Sequence, residues 1–275
     1  MGVAPAGQGQ ECPEGKAHRL GEELVLGRNP VMEALRGGRA ARVMIARGSR
    51  GGAFEVLLRE ARSRGVRVEE MDRSRLDRMA AEHCGDQGPL RHQGVIAYVA
   101  PLPPSDIPSI LESARSRGQD PLVVALDGIE DPMNLGSIIR TAEASGAHGV
   151  IVPRRRAAGL TPAVARASAG AIEHLPVVVV SNLVYELRAL KERGLWIAGL
   201  DAGGDPLWET DLKGPLAIVV GGEGKGIGRL VKETCDFLVG IPMMGRMESL
   251  NAGVAAALVM YEALHQRMIG RSPAT

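Results

Sequence analysis

Apolar positions along the chain follow two periods, one typical of helices and one typical of buried strands. From Phe54 to Arg64 apolar residues recur every three or four positions, whereas Val43–Ala46 is a short, continuous apolar run. The two patterns alternate, with glycines between them, from near Glu22 to Gly270. The sequence therefore predicts the α/β fold class.

The first hundred residues predict a small α/β domain over 21–100, preceded by a disordered tail over 1–20 that is rich in Gly, Pro and Gln. We expect Asn29 to cap the first helix, with Pro30 at its first position and Leu35 near its end. The other expected elements are helices at Phe54–Arg64 and Ser74–Ala81 and strands at Val43–Ala46, Val66–Val68 and Gly94–Val99.

Prolines at 101, 103, 104 and 108 indicate a linker over residues 101–120. A second domain is predicted over 121–270, where fully apolar strands separated by helices are typical of a parallel sheet covered on both faces. Its predicted strands are Leu122–Leu126, Gly149–Val152, Val177–Val180, Leu195–Leu200, Leu216–Val220 and Phe237–Ile241. Its predicted helices are Leu135–Ser145, Ala163–Ala171, Leu183–Arg193, Gly228–Thr234 and Leu250–Met268.

Composition narrows the class of protein only slightly. The three cysteines, Cys12, Cys84 and Cys235, form no close pair, which argues against disulfide frameworks and zinc ribbons and favours a cytoplasmic, metal-free protein. No apolar run approaches the roughly 20 residues of a spanning helix, so we expect no membrane partner. The net charge of +1 is neutral evidence about nucleic acid. Arginine predominates among the basic residues of the first hundred positions, which suits phosphate binding or a merely solvated surface.

Three polar loops follow predicted strands of the second domain, where ligands of open parallel sheets bind. These loops are 127–140, 221–228 and 242–251. The second contains five glycines in eight residues, yet it matches neither a Walker loop nor a dinucleotide fingerprint. We expect a flexible loop whose backbone N–H groups can approach a ligand closely.

Each polar residue in these loops also has a purely structural interpretation. Ser249 fits the N-cap of the last helix, with Asn251 in its first turn, and Asn134 fits a cap of the Leu135 helix. Arg140 alone resembles a surface arginine, and Glu223 alone resembles a turn residue. Only their joint arrangement favours a site.

The three loops resemble, in order, the motifs of the SpoU family of RNA ribose 2′-O-methyltransferases, which belong to the SPOUT superfamily. The pattern N-x-G-x-x-x-R-T-A is met from Asn134 to Ala142, and G-x-E-G-x-G from Gly221 to Gly226. The pattern I-P-M-x-G-x-x-x-S-L-N runs from Ile241 to Asn251. Residues 27–31 and 92–95 also resemble the ends of a substrate-binding domain similar to ribosomal protein L30e, found in the branch that methylates a guanosine of bacterial 23S rRNA.

The resemblance implies a deep trefoil knot in the second domain, formed around Leu200–Ala202, Gly221–Gly224 and Ile241–Asn251. It implies S-adenosylmethionine as the cofactor, held by Gly221, Ile241, Met243 and Leu250. It also implies structured RNA as a partner, either 23S rRNA or tRNA, and a homodimer in which the last helix packs and each site is completed by the partner copy.

In this family the central catalytic role is given to Arg140, which would also contact RNA. Because a guanidinium stays protonated in proteins, we favour an electrostatic role over that of a general base. Asn134 and Asn251 would orient the ribose and Arg140. Glu223 would position polar groups near the motif loops, and Ser249 would fix the last helix and its neighbours. Arg28, and less specifically Arg42 and Arg47, are candidates for RNA contact. The alternatives are a catalytically silent RNA-binding assembly factor and a small-molecule-binding α/β protein.

Overall fold

The computed structural model describes residues 23–84, 92–101 and 105–270, so the predicted tail over 1–20 lies outside the described residues. Within them, one four-stranded and one six-stranded sheet each have their own hydrophobic cores. The predicted fold class, an α/β domain followed by a parallel-sheet domain, is confirmed. None of the described helices combines the length and apolar character needed to span a bilayer.

The first sheet has the strand order β1-β4-β2-β3, in which β2 and β3 are parallel and the other pairs antiparallel. Helices α1 and α2 cover one face, and α3 covers the other. The elements are β1 (Glu23–Leu26), α1 (Arg28–Arg36), β2 (Ala40–Ala46), α2 (Gly52–Ser63), β3 (Arg67–Met71), α3 (Arg73–Cys84) and β4 (Val95–Val99).

The first helix begins two residues earlier than predicted, so the assignment of Asn29 as its N-cap is wrong. Gly27 is the N-cap, with a φ of 99° that favours glycine. The side chain of Gln93 accepts a hydrogen bond from the Arg28 backbone N–H at 3.3 Å. The first turn of α1 is therefore hydrogen-bonded by Gln93, which is distant in sequence, and not by Asn29 as predicted.

The second sheet has the strand order β10-β8-β9-β5-β6-β7, with all neighbours parallel. Its strands are β5 (Leu122–Asp127), β6 (Gly149–Pro153), β7 (Val177–Val180), β8 (Trp196–Pro206), β9 (Leu216–Gly221) and β10 (Phe237–Gly240). The helices are α4 (Ile107–Ser116), α5 (Pro132–Ala144), α6 (Pro162–Ala167), α7 (Leu183–Glu192), α8 (Arg229–Lys232) and α9 (Ala252–Ile269).

Alternate residues of the central strands enter different cores, which explains why these strands are continuously apolar. Val124 and Leu126 pack in the core that contains α5 and α9, whereas Val123 and Ala125 pack in the core that contains α4 and α7. Each face of the sheet is therefore covered, as a parallel sheet requires.

The stretch predicted as a linker contains α4, so the interpretation of Pro108 as a linker residue is wrong. Asp106 caps this helix through a capping box with Ser109, and Pro108 lies in its first turn, where a missing N–H is tolerated. Ile107 and Ile110 are buried against β5 and β6 side chains of the second domain. The helix is thus part of that domain's core.

Strand β8 continues past Leu200, its predicted end, as far as Pro206. The register with β10 shifts between Leu238 and Val239, and Gly204 allows the two backbones to meet there. A Cβ on Gly204 would lie 2.5 Å from the Val239 backbone nitrogen. The knot implied by the resemblance stays a prediction.

A buried ion pair joins the two domains. Arg39 donates to the Glu173 carboxylate at 2.6 Å and to the Ala100 carbonyl at 2.8 Å. Burial raises the pKa of Glu173, while the neighbouring Arg39 opposes that shift. His174 and Glu33 form a second contact at 2.6 Å. These contacts fix the first domain beside the segment that follows α6.

His148 ties the starts of β5 and β6 together and makes stability depend on pH. Its Nδ1 accepts from the Leu122 N–H at 3.0 Å, and burial lowers its pKa to about 4. An unfolded histidine titrates near 6.5, so the unfolded chain binds more protons between these values. The contribution of His148 to the free energy of unfolding is therefore complete above about pH 6.5 and is lost as the pH falls toward 4.

We expect the free energy of unfolding, measured by urea titration, to fall over this window by on the order of 2 kcal/mol more in the wild type than in His148→Asn. Because the asparagine amide does not titrate, the variant lacks the part of the pH dependence that comes from His148. Parallel pH profiles for the two proteins would contradict the assignment.

Candidate active site

The three polar loops meet at the carboxyl edge of the second sheet, because they follow β5, β9 and β10, which run parallel in that sheet. The second and third loops, together with residues 200–202 of β8, line a cavity of about 430 Å³, a size typical of small-molecule sites. The segments predicted to meet at the cofactor all line it. The lining includes Leu200, Asp201, Ala202, Gly221, Glu223, Ile241, Met243, Ser249 and Leu250.

Three side chains from three loops form a hydrogen-bonded triangle beside this cavity. Asn134 donates to the Glu223 carboxylate at 3.0 Å, and Asn251 donates to the same oxygen at 2.7 Å. Asn251 also donates to the Asn134 side-chain oxygen at 2.9 Å. The structure therefore brings together three of the five predicted catalytic residues, which are separated by 89 and 28 positions in sequence.

Asn251, and not Ser249, is the N-cap of α9, which corrects the predicted cap. The Asn251 Oδ1 accepts from the backbone N–H groups of Gly253 at 3.0 Å and Val254 at 3.2 Å. These bonds fix the oxygen toward the helix, so the amide nitrogen faces Glu223. Ser249 is exposed and lines the cavity instead. The cap and the polar triangle therefore use the two ends of one amide.

Asn134 is likewise not a cap. Asp131 caps α5, accepting from the N–H groups of Met133 at 3.2 Å and Asn134 at 3.1 Å. The Asn134 side chain is left free to contact Glu223. The purely structural interpretation of Asn134 is therefore wrong, and the role of Asp131 was not recognised from the sequence.

Substitutions at the two candidate caps should differ in stability. Asn251→Ala is expected to lower the free energy of unfolding by about 1 kcal/mol because the α9 cap is lost, whereas Ser249→Ala should stay within about 0.5 kcal/mol. Asn251→Asp retains the cap but places a carboxylate against Glu223. It should therefore lose the polar triangle through like-charge repulsion, which lowers the stability measured by urea titration even though the cap is kept. Equal destabilisation by Ser249→Ala and Asn251→Ala would argue against this assignment of the cap.

The glycine-rich loop is compact in this structure, and its expected flexibility stays a prediction. The Gly226 N–H donates to the Gly222 carbonyl at 2.9 Å, closing the loop on itself. A Cβ on Gly221 would lie 2.1 Å from the Gly226 carbonyl carbon, and one on Gly222 would lie 2.2 Å from the Gly128 oxygen. Asp127 anchors the loop by accepting from the Gly228 N–H at 2.7 Å. Asp127 escaped notice in the sequence, although it is the first charged residue after an apolar strand.

Arg140 does not join the triangle. It lies on α5 six residues after Asn134, about 9 Å further along the helix axis at 1.5 Å per residue. Its side chain is exposed, and it has no hydrogen bond or ion pair within the described part of the chain. A guanidinium in this state is available to an external anion.

The candidate RNA-contacting arginines of the first domain all have partners. Arg28 donates to Gln93 at 3.3 Å and lies over the Phe54 ring at 5.8 Å. Arg42 stacks on Tyr98 at 4.7 Å and lies 3.8 Å from a Glu69 oxygen, and Arg47 lies 3.5 Å from an Asp72 oxygen. These contacts give each arginine a structural role beside any contact with RNA.

Two further side chains, of which Asp201 lines the cavity, were given no role from the sequence. Asp201 lies 2.9 Å from the Lys232 ammonium, which lowers its pKa, so this cavity-lining carboxylate is ionised. Burial raises the pKa of the Cys235 thiol to about 11, so this side chain is not a nucleophile at neutral pH. Among the described residues, no three His, Cys, Asp or Glu side chains are grouped as metal ligands would be.

Two family models match the chain. The model described as the SpoU rRNA methylase family covers residues 121–261, and the model described as RNA 2′-O ribose methyltransferase substrate binding covers residues 24–105. The first match includes all three loops, and the second covers most of the first domain.

Individual proteins match over nearly the whole chain. YacO of Bacillus subtilis, named for the TrmH family of tRNA/rRNA methyltransferases, is 43% identical over 89% of this chain and 96% of its own length. The structure of the SpoU methyltransferase AviRb from Streptomyces viridochromogenes with AdoMet is 31% identical, covers 93% of this chain and 96% of its own, and has a TM-score of 0.73. A TrmH/SpoU tRNA modifying enzyme of A. aeolicus covers only 55% of this chain and 78% of its own, with 29% identity and a TM-score of 0.50. The chain belongs to the SpoU rRNA methylase family.

Proposed function

We propose that this chain transfers a methyl group from S-adenosylmethionine to a ribose 2′-hydroxyl in structured RNA, at a guanosine of 23S rRNA. The observation that carries the proposal is the cavity lined by the sequence-distant segments 200–202, 220–226 and 241–250, with the Asn134–Glu223–Asn251 triangle beside it. Membership of the SpoU family and the AdoMet-bound relative AviRb support the cofactor and the reaction.

The residues of the cavity fit this cofactor. Val220, Ile241, Met243 and Leu250 offer apolar surface for an adenine ring, and the backbone of Gly221–Gly226 offers polar groups at close range. The ionised carboxylate of Asp201 suits the cofactor's ammonium group. When bound, S-adenosylmethionine supplies a methyl group on a positively charged sulfur.

The protein's own task is to orient the ribose and to stabilise the charge that develops on its oxygen. Arg140 stays protonated, so it lowers the pKa of the 2′-hydroxyl and holds an adjacent phosphate. Asn134 presents its amide to the ribose, and Glu223 and Asn251 fix that amide through hydrogen bonds. Ser249 lines the cavity and contributes a hydroxyl there.

Apolar residues on the outer faces of α5 and α9 support a homodimer. Met133, Val254 and Tyr261 are exposed to 64%, 50% and 49%, and the two helices pack together. An isolated monomer would leave this surface in water. The proposed dimer would bring a partner copy against the face of α5 that carries Arg140. A fully active monomer in light scattering would contradict the dimer.

The 23S rRNA target is favoured over tRNA by the first domain. AviRb spans both domains of this chain, whereas the A. aeolicus tRNA enzyme covers 55% of it. The first domain matches a model for substrate binding by ribose methyltransferases. Because the net charge of the chain is low, recognition of RNA would depend on local basic surfaces and not on the overall charge. We place this activity in the cytoplasm, where unmethylated RNA is available.

The test is transfer of tritiated methyl groups to unmethylated 23S rRNA and tRNA transcripts, followed by nuclease digestion and identification of the nucleoside. A 2′-O-methylguanosine from 23S rRNA is the expected product. A methylated nucleoside from tRNA alone would select the tRNA alternative. RNA binding without transfer, despite measured S-adenosylmethionine binding, would select the silent assembly factor.

A further inference from the structure

Three consecutive arginines, Arg154, Arg155 and Arg156, form an exposed basic loop directly after β6. None of the three has a side-chain hydrogen bond or an ion pair within the described residues. Many other arginines of the chain are paired with a carboxylate, including Arg39, Arg64 and Arg229. Three adjacent guanidiniums repel one another, and an anion that binds between them relieves that repulsion.

The basic loop lies at the same edge of the sheet as the active site. Strand β6 is the parallel neighbour of β5, and β5 is the parallel neighbour of β9, so their carboxyl ends align. Strand spacing places the basic loop about 5 Å from the start of the Asp127 loop and about 10 Å from the glycine-rich loop. The Ala158 N–H donates to the Ile129 carbonyl at 2.8 Å, which ties the basic loop to the segment before α5.

The backbone of the basic loop is fixed in an uncommon conformation. Arg156 has a φ of 56°, in the left-handed region where non-glycine residues are infrequent. Its neighbour Arg154 donates its backbone N–H to the Val180 carbonyl at 2.8 Å, which holds the start of the loop against β7. Strained backbone of this kind is common at binding and catalytic sites.

We propose that Arg154–Arg156 binds backbone phosphates of the RNA strand beside the target nucleotide. This inference rests on the proposed function, to which it adds a second contact surface outside the first domain. Guanidinium forks match phosphate oxygens in pairs, and Arg140 adds a fourth unpaired guanidinium on the adjacent helix α5.

The test compares two triple variants that lose the same charge. One is Arg154→Ala/Arg155→Ala/Arg156→Ala. The control is Arg117→Ala/Arg188→Ala/Arg193→Ala, whose exposed arginines lie on α7 or just after α4 and α7, away from the carboxyl edge. Filter binding of unmethylated 23S rRNA transcript is measured from low to high salt, and methyl transfer is measured on the same RNA.

The basic-loop variant should raise the RNA Kd and KM by roughly tenfold or more and reduce the slope of log binding constant against log salt by about 2. Its S-adenosylmethionine Kd and its kcat at saturating RNA should stay within about twofold of wild type. The control should bind RNA like the wild type. Arg154→Lys/Arg155→Lys/Arg156→Lys should recover most of the salt slope, because that slope depends on charge.

Equal RNA binding by the basic-loop variant and the control would overturn the inference, whatever the methyl-transfer result. Absence of transfer by the wild type would instead count against the proposed function, while the binding comparison would still decide the role of the loop. Recovery of soluble, S-adenosylmethionine-binding protein for each variant excludes misfolding as the cause of weaker RNA binding.

Discussion

Arg140→Lys lowers the rate of methyl transfer by roughly a hundredfold or more, the expected effect of removing one donor to a developing oxyanion. Lysine keeps the positive charge but replaces a planar fork with a point charge, so it cannot hold a phosphate and the ribose oxygen together. The affinity for S-adenosylmethionine should not change, because Arg140 is not among the residues that line the cavity. Single-turnover assays at saturating RNA measure the effect directly.

The matched control is Arg188→Lys, a change at another exposed helical arginine, which should leave the rate unaltered. Near-normal turnover of Arg140→Lys would remove any special role for the guanidinium. Loss of activity in Arg140→Ala but not in Arg140→Lys would reduce that role to charge alone.

Gly221→Ala is expected to weaken S-adenosylmethionine binding by about a hundredfold or more and to lower the free energy of unfolding by up to about 3 kcal/mol. The added methyl carbon would lie 2.1 Å from the Gly226 carbonyl carbon and 2.4 Å from the Ile227 nitrogen. Both are backbone atoms, so no side chain can rotate away. The loop that forms one wall of the cavity has to move instead.

Isothermal calorimetry with S-adenosylmethionine and urea titration measure the two effects. Gly159→Ala is the control, since the nearest atom to its new Cβ would be a threonine methyl carbon at 3.8 Å. That substitution should leave both quantities close to wild type. A Gly221→Ala protein that binds the cofactor normally would show that the loop can shift at little cost.

The order of strands and helices could be predicted because burial imposes a simple pattern. The central strands β5 and β9 of the second sheet face two cores, so nearly all of their residues are apolar, and Leu122–Asp127 is found almost where the pattern predicts it. The three loops could also be placed at one edge, since parallel strands end together. The motif residues followed from a family resemblance and not from periodicity.

The caps and the shape of the glycine-rich loop could not be predicted in the same way. Ser249 and Asn251 are both good capping residues, and only the backbone angles at the start of α9 decide between them. Gln93, which contacts the start of α1, lies 65 positions away in sequence. Pairing between arginines and carboxylates is equally non-local, so the unpaired state of Arg154–Arg156 is visible only in the folded chain.

The double use of Asn251 limits how this site can change. Its oxygen caps the last helix, and its nitrogen donates to Glu223 and Asn134. A substitution here therefore cannot alter the polar triangle without also affecting the stability of the protein. If the first turn of α9 frays, the Asn251 amide is released. The hydrogen bonds of the polar triangle would then break before the sheet itself unfolds. Heating should therefore inactivate the enzyme at a lower temperature than the one at which its core melts.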